Sequence, residues 1–166
     1  MKKIALSITI AGLLLISSCG KDDEGPTVIG LSGTVTYDGE SYAISNGIFS
    51  LSVEDGNAEG EFFIADGTLT PTSTGVSTSD SQIIISVVAT SKGTSTLASG
   101  NYETSTDVPD KYADIQVTTS DGGKQAFTGG IVKISGSEST YSLTFEVPFG
   151  QGVELTGSVS GTFVNR

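Results

Sequence analysis

From Ile29 onward the apolar residues recur at every second position, the period of a half-buried strand and not of a helix. Leu31, Val35 and Tyr37 share one face, with Ser32, Thr34 and Thr36 opposite. Asp38-Gly39 follows, and Tyr42 and Ile44 resume the alternation. An Asp-Gly pair between two such runs predicts a tight hairpin, because a type I′ turn needs positive φ at both central residues. Phe49, Leu51 and Val53 make the next apolar face, closed by Glu54-Asp55-Gly56-Asn57. Phe62 and Ile64 lead back to Asp66-Gly67.

Gln82 to Thr90 holds Ile83-Ile84-Ile85 and Val87-Val88-Ala89, a continuous apolar run that suits a strand buried on both faces. Ile115 and Val117 mark a shorter strand before Asp121-Gly122-Gly123. The C-terminal hairpin is the clearest. Tyr141, Leu143, Phe145 and Val147 alternate with Ser142, Thr144 and Glu146, and Pro148 to Gly152 make the turn. Val153, Leu155, Val159 and Phe163 follow, with Gly157 and Gly161 on the same face, which predicts a bend or close sheet packing there. Leu69 to Ser81 reads as a long exposed loop or a weak edge strand. Ser91 to Thr96 and Thr104 to Asp110 are further exposed segments, Pro109 barring a central strand in the second. Turns at this spacing with no helical window predict an all-β fold over residues 29–166, a single antiparallel β-sandwich or partly open barrel.

Composition agrees. Thr, Ser, Val, Ile and Gly dominate, and the 22 glycines are dispersed as many turns require. The chain has no tryptophan, so the commonest platform for stacking a sugar is missing.

The first residues follow another logic. Met1-Lys2-Lys3 precedes an apolar stretch from Ile4 to Ile16, then Ser17-Ser18-Cys19. This is the layout of a signal peptide over residues 1–18, its apolar stretch shorter than the ~20 residues of a membrane span. Ile16-Ser17-Ser18-Cys19 resembles the lipobox of bacterial lipoproteins. The resemblance implies cleavage before Cys19, diacylation of its sulfur and acylation of the new amino terminus. Cys19 is the single cysteine of the chain, so no intramolecular disulfide supports the domain.

Residues 19–28 read as a polar tether ended by Gly25-Pro26. Lys21, Asp22, Asp23 and Glu24 resemble the surface-export signal of Bacteroidota lipoproteins, a lysine followed by acidic residues behind the lipidated cysteine. That resemblance implies an outer-membrane lipoprotein facing the cell exterior, with a periplasm-facing lipoprotein as the alternative. Leu97-Ala98-Ser99-Gly100-Asn101-Tyr102 and the final hairpin are similar to segments of other β-rich lipoproteins of that group, which supports fold and address and implies no activity.

The net charge is −11, and loss of Lys2 and Lys3 with the signal makes the remainder more acidic. Such a chain repels nucleic acid and anionic lipid alike, so its membrane partner is reached through the lipid anchor. With no histidine, Ser-His-Asp and Cys-His catalysis and His-ligated zinc are excluded. No cofactor is expected.

Three candidate sites remain. Asp55, Asn57, Glu59, Gly60 and Asp66 have the spacing of a calcium loop, with Phe62 at its apolar position. Aspartate stands where a bidentate glutamate belongs, and Glu61-Phe62-Phe63-Ile64 reads as a strand, so a hairpin turn with solvated carboxylates is the favoured reading. Asp107, Asp110 and Asp114 bracket Pro109 and offer oxygens to a hard cation, although loop carboxylates are usually just solvated. Of Tyr37, Tyr42, Tyr102, Tyr112 and Tyr141, the two beside irregular loops, Tyr102 and Tyr112, are the ones favoured for a ligand. A carboxylate-pair glycosidase is disfavoured in so small a chain without tryptophan. The expected function is a non-catalytic binding module for a glycan, a protein or an uptake-complex partner. The alternative is a structural or assembly subunit of the cell surface.

Overall fold

The computed structural model describes residues 30–73, 75–104, 109–122, 124–126 and 129–166. Residues 1–18, read above as a signal peptide, lie outside the described residues, as do Cys19, Lys21, Asp22, Asp23, Glu24 and Asp107.

The described chain is all-β. Its strands are β1 (Gly30–Tyr37), β2 (Glu40–Ile44), β3 (Asn46–Glu54), β4 (Asn57–Ala65), β5 (Thr68–Thr72), β6 (Gly75–Ser79) and β7 (Ile83–Ser91). There follow β8 (Gly100–Glu103), β9 (Lys111–Thr119), β10 (Lys124–Ala126), β11 (Ile131–Ser137), β12 (Thr140–Pro148), β13 (Glu154–Thr162) and β14 (Val164–Asn165). One curled sheet runs β14-β3-β4-β7-β9-β8-β11-β12-β13-β1-β2, with β10 beside β9, and wraps its concave face around the core as a half-barrel. Its ladders are antiparallel except β14 with β3 and the single bridge of β8 with β9.

The turns follow their residues. Asp38 and Gly39 have φ of 51° and 78°, as the Asp-Gly signal requires. Gly157 pairs with Val35 on one side and Phe145 on the other. Its φ is +116°, and a Cβ there would lie 2.3 Å from Thr34 O. The bend read from the glycines is thus a close approach of backbones.

The core is built by the alternating faces. Phe62 is its aromatic centre, with ring centroids 4.7 Å from Phe49, 5.2 Å from Tyr141 and 5.3 Å from Phe163. These rings come from β3, β4, β12 and the β13–β14 link, so the cluster joins the two halves of the curled sheet.

Three expectations are corrected. β7 is not buried equally on both faces: Ile83, Ile85, Val87 and Ala89 are in the core, whereas Ile84, Ser86 and Val88 are half-buried on the outer face. Leu51 and Val53 share the face of buried Phe49 yet are 44% and 51% exposed. Leu97 reaches Gly60 on β4, but nothing described covers β3 beyond Phe49. Finally, Leu69 to Ser81 is mainly the hairpin β5–β6, a separate two-stranded sheet.

Candidate functional site

A cleft of about 370 Å³ opens between the β1–β2 hairpin and the adjoining ends of β7 and β9. The hairpin supplies Tyr37, Asp38, Glu40 and Tyr42, and the facing wall supplies Gln82, Thr119, Ser120 and Asp121. Tight turns place these residues. Asp38-Gly39 reverses the chain so that Tyr37 and Glu40 pair across the hairpin. At the far wall, Ser120 N donates to Gln82 O at 2.9 Å and holds the end of β9 to the start of β7.

The Tyr42 hydroxyl donates to Glu40 Oε2 at 2.9 Å. Burial, then the Glu40 hydrogen bond and nearby carboxylates, push its pKa up to about 12. Tyr37 is raised by burial first and then by Asp38 and Asp121. Its ring packs edge-on to Phe149, centroids 5.6 Å apart. Thr119 Oγ1 donates to Asp121 Oδ1, orienting that carboxylate. The cleft therefore combines the half-buried Tyr42 phenol with three carboxylates over a floor that includes the buried Tyr37, one accessible aromatic ring and a set of hydrogen-bond acceptors.

A smaller pocket of about 170 Å³ lies on the outer face, lined by Ser52, Glu54, Asp55, Asn57, Glu59, Thr90 and Tyr112. Register builds it: Ser52 pairs with Glu59, Glu59 with Thr90 and Thr90 with Tyr112, one row across β3, β4, β7 and β9. Thr90 Oγ1 is buried without a hydrogen-bond partner. The Lys92 ammonium lies 5.9 Å from the centroid of the Tyr112 ring.

The calcium-loop set is thus divided. Asp55, Asn57 and Glu59 stand at the pocket, with Asn57 Oδ1 accepting from Gly93 N at 3.0 Å. Asp66 is beyond the other end of β4. Its Oδ1 accepts from Gln82 N at 2.9 Å and Ile83 N at 3.1 Å, capping the start of β7. The extended nine-residue strand β4, which itself carries Asn57 and Glu59, stands where a cation needs a loop. Among the described residues no group of three acidic side chains is placed to hold a metal ion. Asp114 is exposed on β9 and Asp110 exposed before it.

Tyr102, favoured from the sequence for a ligand, is 0% exposed. Its hydroxyl donates to Ala98 O and lies 2.6 Å from Ser91 Oγ, which accepts from Ala98 N at 3.2 Å. Tyr102 therefore staples the 92–99 segment over the core. Tyr112 is half-buried and does stand at a pocket. The sequence reading missed Asp38, Glu40 and Asp121 as partners. Their signal was the pair of Asp-Gly turns, but only the curl of the sheet brings those turns together.

No family model, curated protein or solved structure matches the chain. The chemistry of both pockets rests on their own residues.

Proposed function

We propose that this chain is an outer-membrane lipoprotein, anchored through Cys19 and displayed by the Lys21-Asp22-Asp23-Glu24 tether, whose β domain is a non-catalytic binding module. One observation carries the binding-module part of the reading, the address resting on the N-terminal resemblance alone: Tyr37, Tyr42, Asp38, Glu40 and Asp121 line a single cleft at the end of β1 remote from Gly30. Eight extended residues separate cleft and tether by roughly 23 Å. The cleft's volume of about 370 Å³ lies within the range of roughly 300–1,000 Å³ typical of small-ligand sites. Carboxylates accept hydrogen bonds from vicinal hydroxyls, and a phenol ring packs on the apolar face of a sugar. A glycan is the ligand class these groups suit best.

The test uses intact cells and the full chain. Protease shaving should digest the native domain and spare a variant with Lys21, Asp22, Asp23 and Glu24 all replaced by alanine. The shaving-sensitive protein should bind members of a neutral and basic glycan panel, and Tyr42→Ala with Asp121→Asn should abolish that binding. Protection of the native domain would overturn the address. A panel without binders, or binding indifferent to these substitutions, would overturn the cleft.

A further inference from the structure

Beyond Phe49, β3 is the edge of the main sheet. β14 pairs only with Ile48 and Phe49, where Arg166 N donates to Phe49 O at 2.9 Å. Backbone groups alternate sides along a strand, so the outward carbonyl of Phe49 sets the N–H and C=O of Leu51 and Val53 outward as well. Among the described residues no strand takes them up on that side. Natural edges are usually blunted by proline, lysine or a bulge. Ser50-Leu51-Ser52-Val53 has no proline or lysine, and its register with β4 runs unbroken.

The two faces of this edge differ. Leu51 and Val53 stand exposed on the inner side. On the outer side Ser52, Glu54, Asp55 and Glu59 rim the pocket of about 170 Å³, with the unpartnered Thr90 side chain also lining it. That volume is below the roughly 300 Å³ at which small-ligand sites begin, and suits one long side chain.

Charge selects the occupant. A second copy joined by a two-fold axis would set Glu54, Asp55 and Glu59 near their own duplicates, on a chain of net charge −11. The complementary occupant is a cationic strand. We propose that the edge of β3 from Leu51 to Glu54 accepts an extended, basic segment of another protein by strand addition. Its alternate apolar residues cover Leu51 and Val53, and a lysine or arginine between them enters the pocket rimmed by Glu54, Asp55 and Glu59. The surface is separate from the tyrosine cleft, so either can fail without the other.

The probe is the capped heptapeptide Thr-Val-Lys-Val-Lys-Val-Thr, with its counterpart carrying glutamate for lysine. Binding to the full chain is followed by fluorescence anisotropy, and strand pairing by amide hydrogen exchange. The lysine peptide should bind, weaken with added salt and slow exchange at Leu51 and Val53 by about tenfold or more. Glu54→Gln with Glu59→Gln, both exposed, should weaken binding about tenfold or more without loss of fold. Glu40→Gln in the cleft should leave it unchanged. No binding at millimolar peptide, equal binding of the glutamate peptide, or binding without slowed exchange at these amides would overturn the proposal. Concentration-dependent dimerisation that protects the same amides would instead make a second copy the occupant.

Discussion

The phenolic oxygen of Tyr42 lies 2.9 Å from Glu40 Oε2, a donor and acceptor two residues apart on the same side of β2 at the mouth of the cleft. The contact stabilises the neutral phenol and opposes the phenolate. Glu40→Gln removes the negative charge while keeping an acceptor. Spectrophotometric titration of the variant should show the Tyr42 transition moving from about 12 back toward 10.0. An unmoved transition would mean that Glu40 has no part in holding it.

The same physics sets an alkaline limit. Tyr37, Tyr42, Tyr102 and Tyr141 all have raised pKa values, with burial the largest cause of each. In the unfolded chain these phenols lose their protons near 10.0, whereas the folded chain holds them longer. Their contribution to stability is complete below pH 10 and is lost as pH rises through the folded values. Urea midpoints should therefore fall steeply above pH 10, and each Tyr→Phe substitution that keeps the fold should flatten the fall.

Tyr102→Phe separates a structural hydroxyl from a ligand contact. The ring volume stays, but in a buried site Ala98 O loses the hydroxyl that donates to it, and Ser91 Oγ keeps only its hydrogen bond from Ala98 N. The cost should be about 1–3 kcal/mol by urea denaturation. Amides of the 92–99 segment should exchange faster, and ligand binding at the cleft should not change.

Asp66 gives a test between capping and metal binding. Asp66→Ala leaves Gln82 N and Ile83 N without their acceptor and should destabilise the domain by about 1–3 kcal/mol. Asp66→Asn keeps a side-chain oxygen and should retain most of that stability. A calcium ligand would show the reverse sensitivity, with both variants losing any stabilisation by added calcium, and no such stabilisation is expected in the native chain.

Gly157→Ala tests the close approach. The added methyl would meet Thr34 O at 2.3 Å on a backbone with φ of +116°. A loss of about 2–3 kcal/mol is expected. Gly152→Ala, whose Cβ has nothing within 4 Å, should cost about 1 kcal/mol from its φ of +84° alone.

What the chain determined by itself is local. Alternation of apolar residues specifies strands because successive side chains point to opposite faces, and Asp38-Gly39 specifies a turn because of its own φ preferences. The all-β class and the C-terminal hairpin were legible for that reason. What only the tertiary structure decided is covering and convergence. Phe49 and Leu51 are equivalent in the alternating pattern, yet one is in the core and the other is 44% exposed, because burial depends on what the curl of the sheet lays over each. Asp55 and Asp66 share a calcium-like spacing, yet β4 stretches straight between them and holds them apart. Asp38 and Asp121 are far apart in sequence and four strands separate β9 from β1 in the sheet, yet they line one cleft, because the sheet curls. Spacing along a chain translates into distance only within one strand or turn. Between strands, distance is set by pairing and curvature, which belong to the whole sheet.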